Sequence, residues 1–292
     1  MAHRIAESQT MNVQNVLSKL DSHFLKKEYG QIETLLLVNL GQAFAERDNG
    51  SALTLLNELL SYYRSVSRVE ESLSVASKAI KLMDEMGLRG TLHYATTLLN
   101  IATAYRAAGK AVTAVDMYEQ VSNIYREERV DDPHLLASLY NNLSLAWQAL
   151  NDHTKAIKYL QMALVLVEGS QGEAEQAVTY TNLALSKMRC GRLAEARSDL
   201  DDAVRLFKRQ KSVSAHYGAA LAALGELCYR EGNLHEAISC YERALEQIEL
   251  RYGRNAQYAV TLESLAVVYE DVDAVYGSTL QAEAARVRGA LH

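Results

Sequence analysis

The chain has 292 residues, 49% of them hydrophobic, and a single Pro; this suits long uninterrupted helices, because Pro inside a helix removes a hydrogen bond and clashes with the preceding turn. The 30 Lys and Arg against 36 Asp and Glu leave a net charge of −6, which argues against a general nucleic-acid binder, since phosphates call for a basic surplus. Three widely spaced cysteines, no apolar run at the N-terminus and no stretch near the about 20 apolar residues a bilayer requires predict a cytoplasmic protein with reduced thiols and no membrane span.

Residues 1–9 read as a frayed end. Over 10–28, Val13, Val16, Leu17, Leu20, Phe24 and Leu25 keep to one helical face, so an amphipathic helix is expected there, broken by Gly30. A second helix follows over 31–47, and Asp48 to Ser51 read as a turn with an N-cap. This pair fits the later spacing poorly. Residues 1–50 therefore stand as an atypical N-terminal pair or cap, or as the start of a separate small bundle. From Ser51 the spacing settles into about six helix pairs over 51–292. Helices are expected at 51–66 and 69–86, 92–108 and 111–128, 134–150 and 153–168, 174–190 and 193–210, 214–231 and 234–251, and 256–272 and 276–290.

These pairs follow one another by repetition. Thr97-Leu-Leu-Asn-Ile-Ala-Thr-Ala-Tyr105 returns as Leu139-Tyr-Asn-Asn-Leu-Ser-Leu-Ala-Trp147 and as Thr179-Tyr-Thr-Asn-Leu-Ala184, with weaker copies ending in Gly225 and spanning Leu262 to Tyr269. The central small residue is Ala102, Ser144, Ala184, Gly225 or Ala266, in steps of 42, 40, 41 and 41, a period of the size that marks stacked repeats. Seven residues later stand Gly109, Asn151, Gly191, Gly232 and Asp273, the residue types that take or tolerate the left-handed backbone at a helix end. Ala114, Ala156, Ala196 and Ala237 follow at twelve, and Val121, Ala163, Ala203, Ala244 and Ala285 at nineteen, so two helices can approach closely in each pair. Ala156 and Ala196 are accordingly expected to be buried.

With these offsets, and with Gly191-Arg-Leu-Ala-Glu-Ala196 and Gly232-Asn-Leu-His-Glu-Ala237, the chain resembles tetratricopeptide repeats (TPR). The period exceeds the usual 34 residues and is similar to the kinesin-light-chain variety, as are the connections Asp131-Asp-Pro-His-Leu-Leu-Ala137 and Tyr252-Gly-Arg-Asn-Ala-Gln-Tyr-Ala-Val260. Lys187 departs from it, standing where that family places an aromatic. The resemblance implies an all-α, right-handed superhelical solenoid of antiparallel helix pairs, whose first helices line a concave groove that holds a peptide or protein segment.

Asn100, Asn142 and Asn182 each precede their central residue by two, and Asn39 holds the same offset before Gly41. A row of amides can pair with the backbone of an extended peptide, or it can hydrogen-bond neighbouring helices to each other. Both readings stand at this point. Thr96, Thr103, Arg106, Asn141, Gln148, Arg189 and Arg230 complete a polar to basic groove, against an acidic end of Glu226, Glu263, Glu270 and Asp271. Cys228, His235 and Cys240 lack the short spacing of a zinc site, so no metal or cofactor is expected. No nucleophile elbow, Walker loop or dinucleotide fingerprint is present. The expected function is a non-enzymatic scaffold for a peptide or protein partner; the alternative is a receptor for a small signalling peptide that acts on another protein through residues 10–66. Leu280, Ala284, Val287 and Leu291 lie at helical spacing on the last helix, with no further helix to cover them, so self-association through the C-terminal end is expected.

Overall fold

A computed structural model describes residues 12–26, 28–167, 172–209 and 215–290, and among them are 14 α-helices and no strand. The packing divides the chain into two compact units, with the boundary between Glu128 and Arg129. Unit 1 holds α1 (Val13–Leu25), α2 (Tyr29–Ala45), α3 (Asn49–Ser65), α4 (Val69–Glu85), α5 (Leu92–Ala107) and α6 (Ala111–Glu127). Unit 2 holds α7 (Pro133–Ala149), α8 (His153–Val167), α9 (Glu173–Arg189), α10 (Leu193–Arg209), α11 (Ala215–Arg230), α12 (Leu234–Tyr252), α13 (Ala256–Glu270) and α14 (Ala274–Gly289).

Local chemistry explains where these helices start and stop. Asp48 accepts from the Ser51 N–H at 3.0 Å and caps α3, and Asp132 accepts from the His134 N–H at 2.8 Å with Pro133 in the first turn of α7. Both satisfy donors that a helix start leaves open. Gly109, Asn151, Gly191 and Gly232 take the left-handed backbone with φ of 75°, 61°, 74° and 81°, as their offset predicts. Gly30 does not break α1. The helix ends at Leu25, Lys26 closes it by donating to the Ser22 carbonyl, and Gly30 lies in the first turn of α2.

Unit 1 is organised around α3, which packs on α1, α2, α4 and α5. Leu55, Leu56, Leu59 and Leu60 have no exposed surface, because a helix covered from both sides needs apolar residues beyond a single stripe. One core runs from Val16 to Ala104. It is continuous across residue 50, so α1 and α2 share the core of α3 to α5.

In unit 2 the small residues sit at the helix contacts. Ala156, Ala163, Ala196, Ala203, Ala237 and Ala244 are all fully buried. A Cβ added to Gly225 would lie 3.0 Å from ring carbons of Tyr241, which is why this copy carries glycine. The last pair departs from the pattern. Asp273 has φ −150° and caps α14 by accepting from the Tyr276 N–H at 3.1 Å. The turn thus loses its left-handed residue, and α14 begins one residue early. The contact positions slip accordingly: Gly277 and Ala284 are buried, and Ala285 is exposed. A Cβ on Gly277 would meet the Ala266 carbonyl at 3.0 Å.

The same slip alters the expected sticky end. Leu280, Ala284 and Val287 are buried, with α14 packed on α13, so they offer no open surface to a second copy. Leu291 lies outside the described residues. At Lys187, where an aromatic would complete the pattern, the structure buries an ion pair: Lys187 Nζ lies 2.7 Å from Asp199 Oδ2, with both residues 8% exposed. The contact is off the line of a hydrogen bond. Burial pushes the Asp199 pKa up, and the neighbouring Lys187 offsets only part of that.

Candidate functional site

Three polar side chains of α7 stand seven residues apart, two helical turns, and so share one face. All three reach α9. His134 Nδ1 lies 2.7 Å from Glu175 Oε2, Asn141 Nδ2 donates to Thr179 Oγ1 at 3.0 Å, and Gln148 Nε2 donates to Ser186 Oγ at 2.7 Å and to the Asn182 carbonyl at 3.0 Å. The carboxylate beside His134 raises its pKa above the usual imidazole value, through the hydrogen bond first and the charge second. Asn141 and Gln148, expected as groove residues, thus tie first helices together.

Beside this seam lies a cavity of about 430 Å³, lined by Ala137, Ser138, Asn141, Asn142 and Leu145 of α7, Ala174, Glu175, Val178 and Asn182 of α9, and His216 of α11. Four aliphatic side chains line it together with three amides, a serine, a carboxylate and an imidazole. The orientation of Asn141 follows from its neighbours. The Thr179 hydroxyl donates to the Glu175 carbonyl at 2.8 Å, so it can only accept from Asn141, and Asn141 Nδ2 also donates to the Ala137 carbonyl at 3.0 Å. Asn141 Oδ1 is therefore directed away from both. That oxygen is buried and has no hydrogen-bond partner, an arrangement that costs about 1–3 kcal/mol unless a donor is supplied. Asn142 donates to the Ser138 carbonyl at 2.9 Å. The Asn182 side chain makes no hydrogen bond among the described residues, although its backbone carbonyl accepts from Gln148.

Unit 1 contains the same construction. A cavity of about 490 Å³ is lined by Gly50, Leu53, Thr54 and Asn57 of α3, by Met86 and Leu88, and by Leu92, His93, Thr96 and Thr97 of α5. Asn57 Nδ2 donates to the Leu53 carbonyl and to Thr97 Oγ1, both at 3.1 Å, matching the two bonds of Asn141. Here the remaining oxygen is satisfied: Asn100 Nδ2 donates to Asn57 Oδ1 at 3.0 Å. Asn100, counted with the groove row, therefore bonds helix to helix. Asn57 was missed because the residue at its repeat centre is Leu60 rather than a small one. The signal that finds it is Leu53-Thr54-x-x-Asn57, which stands 84 residues before Ala137-Ser138-x-x-Asn141.

The other expected groove residues divide by partner. Thr103 is buried, donating to the Leu99 carbonyl at 2.9 Å and lying 2.8 Å from the Tyr118 hydroxyl. Arg189 and Arg230 both reach Glu226 Oε1, at 3.4 and 2.6 Å, which ties the basic middle to the acidic end. At that end Glu263 meets Arg288 at 2.7 Å, Glu270 accepts from Gln281 at 2.6 Å, and Asp271 accepts from the Tyr229 hydroxyl at 3.0 Å. Arg106 has no carboxylate partner among the described residues, and its Nε is buried without a hydrogen bond. Asn39 donates to its own helix, at Leu35, 2.7 Å away. Arg197 Nη2 reaches the buried Cys228 Sγ at 3.5 Å, and burial pushes that thiol up to about 12.

Residues 93–168 and 217–273 match a tetratricopeptide-repeat profile, and residues 176–209 match a second profile of the same description. Protein KINESIN LIGHT CHAIN-RELATED 3 of Arabidopsis thaliana is 25% identical over 203 residues, covering 65% of this chain and 30% of that protein. KINESIN LIGHT CHAIN-RELATED 1 of the same plant is 24% identical over 190 residues, covering 62% and 30%. The matched region thus spans under a third of those relatives. Among solved structures, BtubC (BKLC) from P. vanneervenii superposes with a TM-score of 0.60 at 21% identity, covering 76% of this chain and 92% of that one. NprR in complex with its cognate peptide NprX superposes with a TM-score of 0.69 at 16% identity, covering 94% and 80%. The repeat period, the paired helices and these matches agree: the chain belongs to the tetratricopeptide-repeat family, with repeats like those of kinesin light chains.

Proposed function

We propose that the chain is a non-enzymatic interaction scaffold that binds an extended peptide or protein segment on the first helices of unit 2, at the cavity walled by Asn141, Asn142 and Asn182. One observation carries this reading: Asn141 Oδ1 is buried at that cavity without a donor, whereas its counterpart Asn57 Oδ1 has one. A backbone N–H of an extended segment would supply it. The Asn182 amide offers both a donor and an acceptor for the same segment, while Leu145, Val178 and Ala174 would take an apolar side chain. Family membership supports the class of partner, and NprR, whose structure holds a peptide, has a like fold; fold alone does not name the ligand. No described helix is long and apolar enough to cross a membrane, and we read the protein as cytoplasmic.

Random-peptide display against the folded chain tests the reading. A selected synthetic peptide should bind N182A and N142A each about 2- to 10-fold more weakly than the parent chain, the value of one net hydrogen bond. Equal affinity for the parent and both variants would overturn it. A second reading, a regulatory receptor for a signalling peptide, draws on the continuous core that joins α1 to α3 with α4 and α5. It predicts that adding the selected peptide changes amide exchange within residues 12–65.

A further inference from the structure

The second helix of the first pair, α2, differs from its successors in what it shows to solvent. At the same place in their pairs, α4 exposes Glu70, Lys78 and Lys81, and α6 exposes Asp116, Glu119 and Arg126. The one charged residue of α2, Glu33, is partly buried and accepts from Tyr63 at 2.8 Å and Arg68 at 2.6 Å. The exposed face of α2 is therefore uncharged from Gly30 to Ala45, and on it Leu37, Val38 and Phe44 are 46%, 64% and 44% exposed. The opposite face already packs Ile32, Leu36, Leu40 and Ala43 into the core of unit 1. Apolar residues on both faces are the pattern of a helix covered from both sides. Gly41 stands in the middle of the open face. Glycine inside a helix costs about 0.5–1 kcal/mol against alanine, and nothing in the fold requires it there: an added Cβ would meet nothing within 4 Å. Gly225 and Gly277 are different, pressed against Tyr241 and the Ala266 carbonyl. An interior glycine facing open space suits the close approach of a backbone from outside.

We propose that two copies of this chain associate through α2, with the two helices antiparallel and crossing at Gly41. The face is complementary to itself. Leu37 and Ala45 each lie four residues from Gly41, and Val38 and Phe44 each lie three. About a two-fold axis at Gly41, Leu37 therefore meets the partner's Ala45, and Val38 meets the partner's Phe44. Larger residues face smaller ones and glycine faces glycine, as an isologous interface requires. Charge points the same way. Two chains of net charge −6 meet on this face without setting like charges against each other, whereas a charged partner finds nothing there to pair with. Nor does α2 carry a Lys or Arg for the headgroups of a membrane surface. A helix of 17 residues is about 26 Å long, so one face per copy lies at the small end of interface sizes, and the dimer is weak and concentration-dependent. The surface shares no residue with the asparagine cavity of unit 2, so either reading can fail without the other.

Sedimentation equilibrium of the full chain over a concentration series tests this. The weight-average mass should rise with concentration toward that of two chains, and added salt should strengthen the dimer by screening the net charge. Gly41→Leu has room within a single chain, so it should fold with an unchanged or higher Tm and yet dimerise at least about tenfold more weakly. Val38→Glu places a charge in the interface twice per dimer and should weaken it by at least as much. The register is read by cross-linking in a Cys190→Ser background, because Cys190 is exposed. There Gly41→Cys should give a disulfide-linked dimer under mild oxidation, and Glu70→Cys on α4 should not. The proposal would be overturned by a chain that stays monomeric at every concentration and salt, including one that binds phosphatidylcholine vesicles instead. A dimer that both Gly41→Leu and Val38→Glu leave intact, or a Gly41→Cys chain that does not cross-link, would overturn it as well.

Discussion

The two cavities share one plan and differ in one hydrogen bond. In unit 1, Asn57 donates twice and accepts once, from Asn100. In unit 2, Asn141 makes the same two donations and its oxygen has no donor. Asn100 and Asn182 hold the same place in their repeats, yet the first completes an inter-helix bond and the second leaves its side chain at the cavity wall. An asparagine row is thus not one functional unit. Each amide serves the fold or is open to a ligand according to whether a neighbouring helix supplies its partner, and repeat position alone does not decide which.

A second difference between the units gives the largest expected effect. Where unit 1 has Tyr105, three residues past its repeat centre, and unit 2 has Trp147 and Tyr269 in two of its repeats, the repeat centred on Ala184 has Lys187 paired with Asp199. Lys187→Met should strand a buried carboxylate and lower stability by about 3–5 kcal/mol, whereas the double change to leucines should be neutral or stabilising. Denaturant melts of both variants check this. A mild loss in the single variant would mean that water reaches Asp199.

The small-residue contacts should behave alike in both units. Ala114→Leu in unit 1 and Ala196→Leu in unit 2 both place bulk where no surface is exposed, and each should cost about 1–3 kcal/mol. A neutral result at either position would show that its helix pair can spread. Smaller again is the asparagine bond itself. Asn57→Ala removes the acceptor of Asn100 and the donor to Thr97, and should cost about 1–2 kcal/mol by denaturation. The smallest effect belongs to His134. Its folded pKa is raised, so the bond to Glu175 stabilises fully below the unfolded value of 6.5 and is lost as pH rises through the folded one. An imidazole titration by NMR should place His134 above 6.5 in the parent chain and return it toward 6.5 in Glu175→Gln.

Much of this was legible beforehand where a residue's own backbone or size decides the outcome. Gly109, Asn151, Gly191 and Gly232 end helices because of the conformation they accept, and Ala156 and Ala196 are buried, as small residues at that offset imply. Asp273 misled because aspartate also caps helices, and the cap prevailed, shifting α14 by one residue and burying Ala284 instead of Ala285. The site was less legible. Helical spacing says which face Asn141 and Gln148 occupy, but whether a hydrogen bond goes to a ligand or to the next helix depends on an atom some 38 residues away. Lys187 was visible as a departure; its partner Asp199 was not, because nothing in the repeat pattern ties an acid on the next helix to that position.

The division of roles between equivalent asparagines is tested most directly by measuring Asn100→Ala and Asn182→Ala in parallel, for unfolding free energy and for affinity toward the display-selected peptide. Asn100→Ala should lose about 1–3 kcal/mol of stability, because it leaves Asn57 Oδ1 unsatisfied, and keep its affinity. Asn182→Ala should hold its stability within about 0.5 kcal/mol and bind about 2- to 10-fold more weakly. Equal stability losses with equal affinities in the two variants would contradict the account.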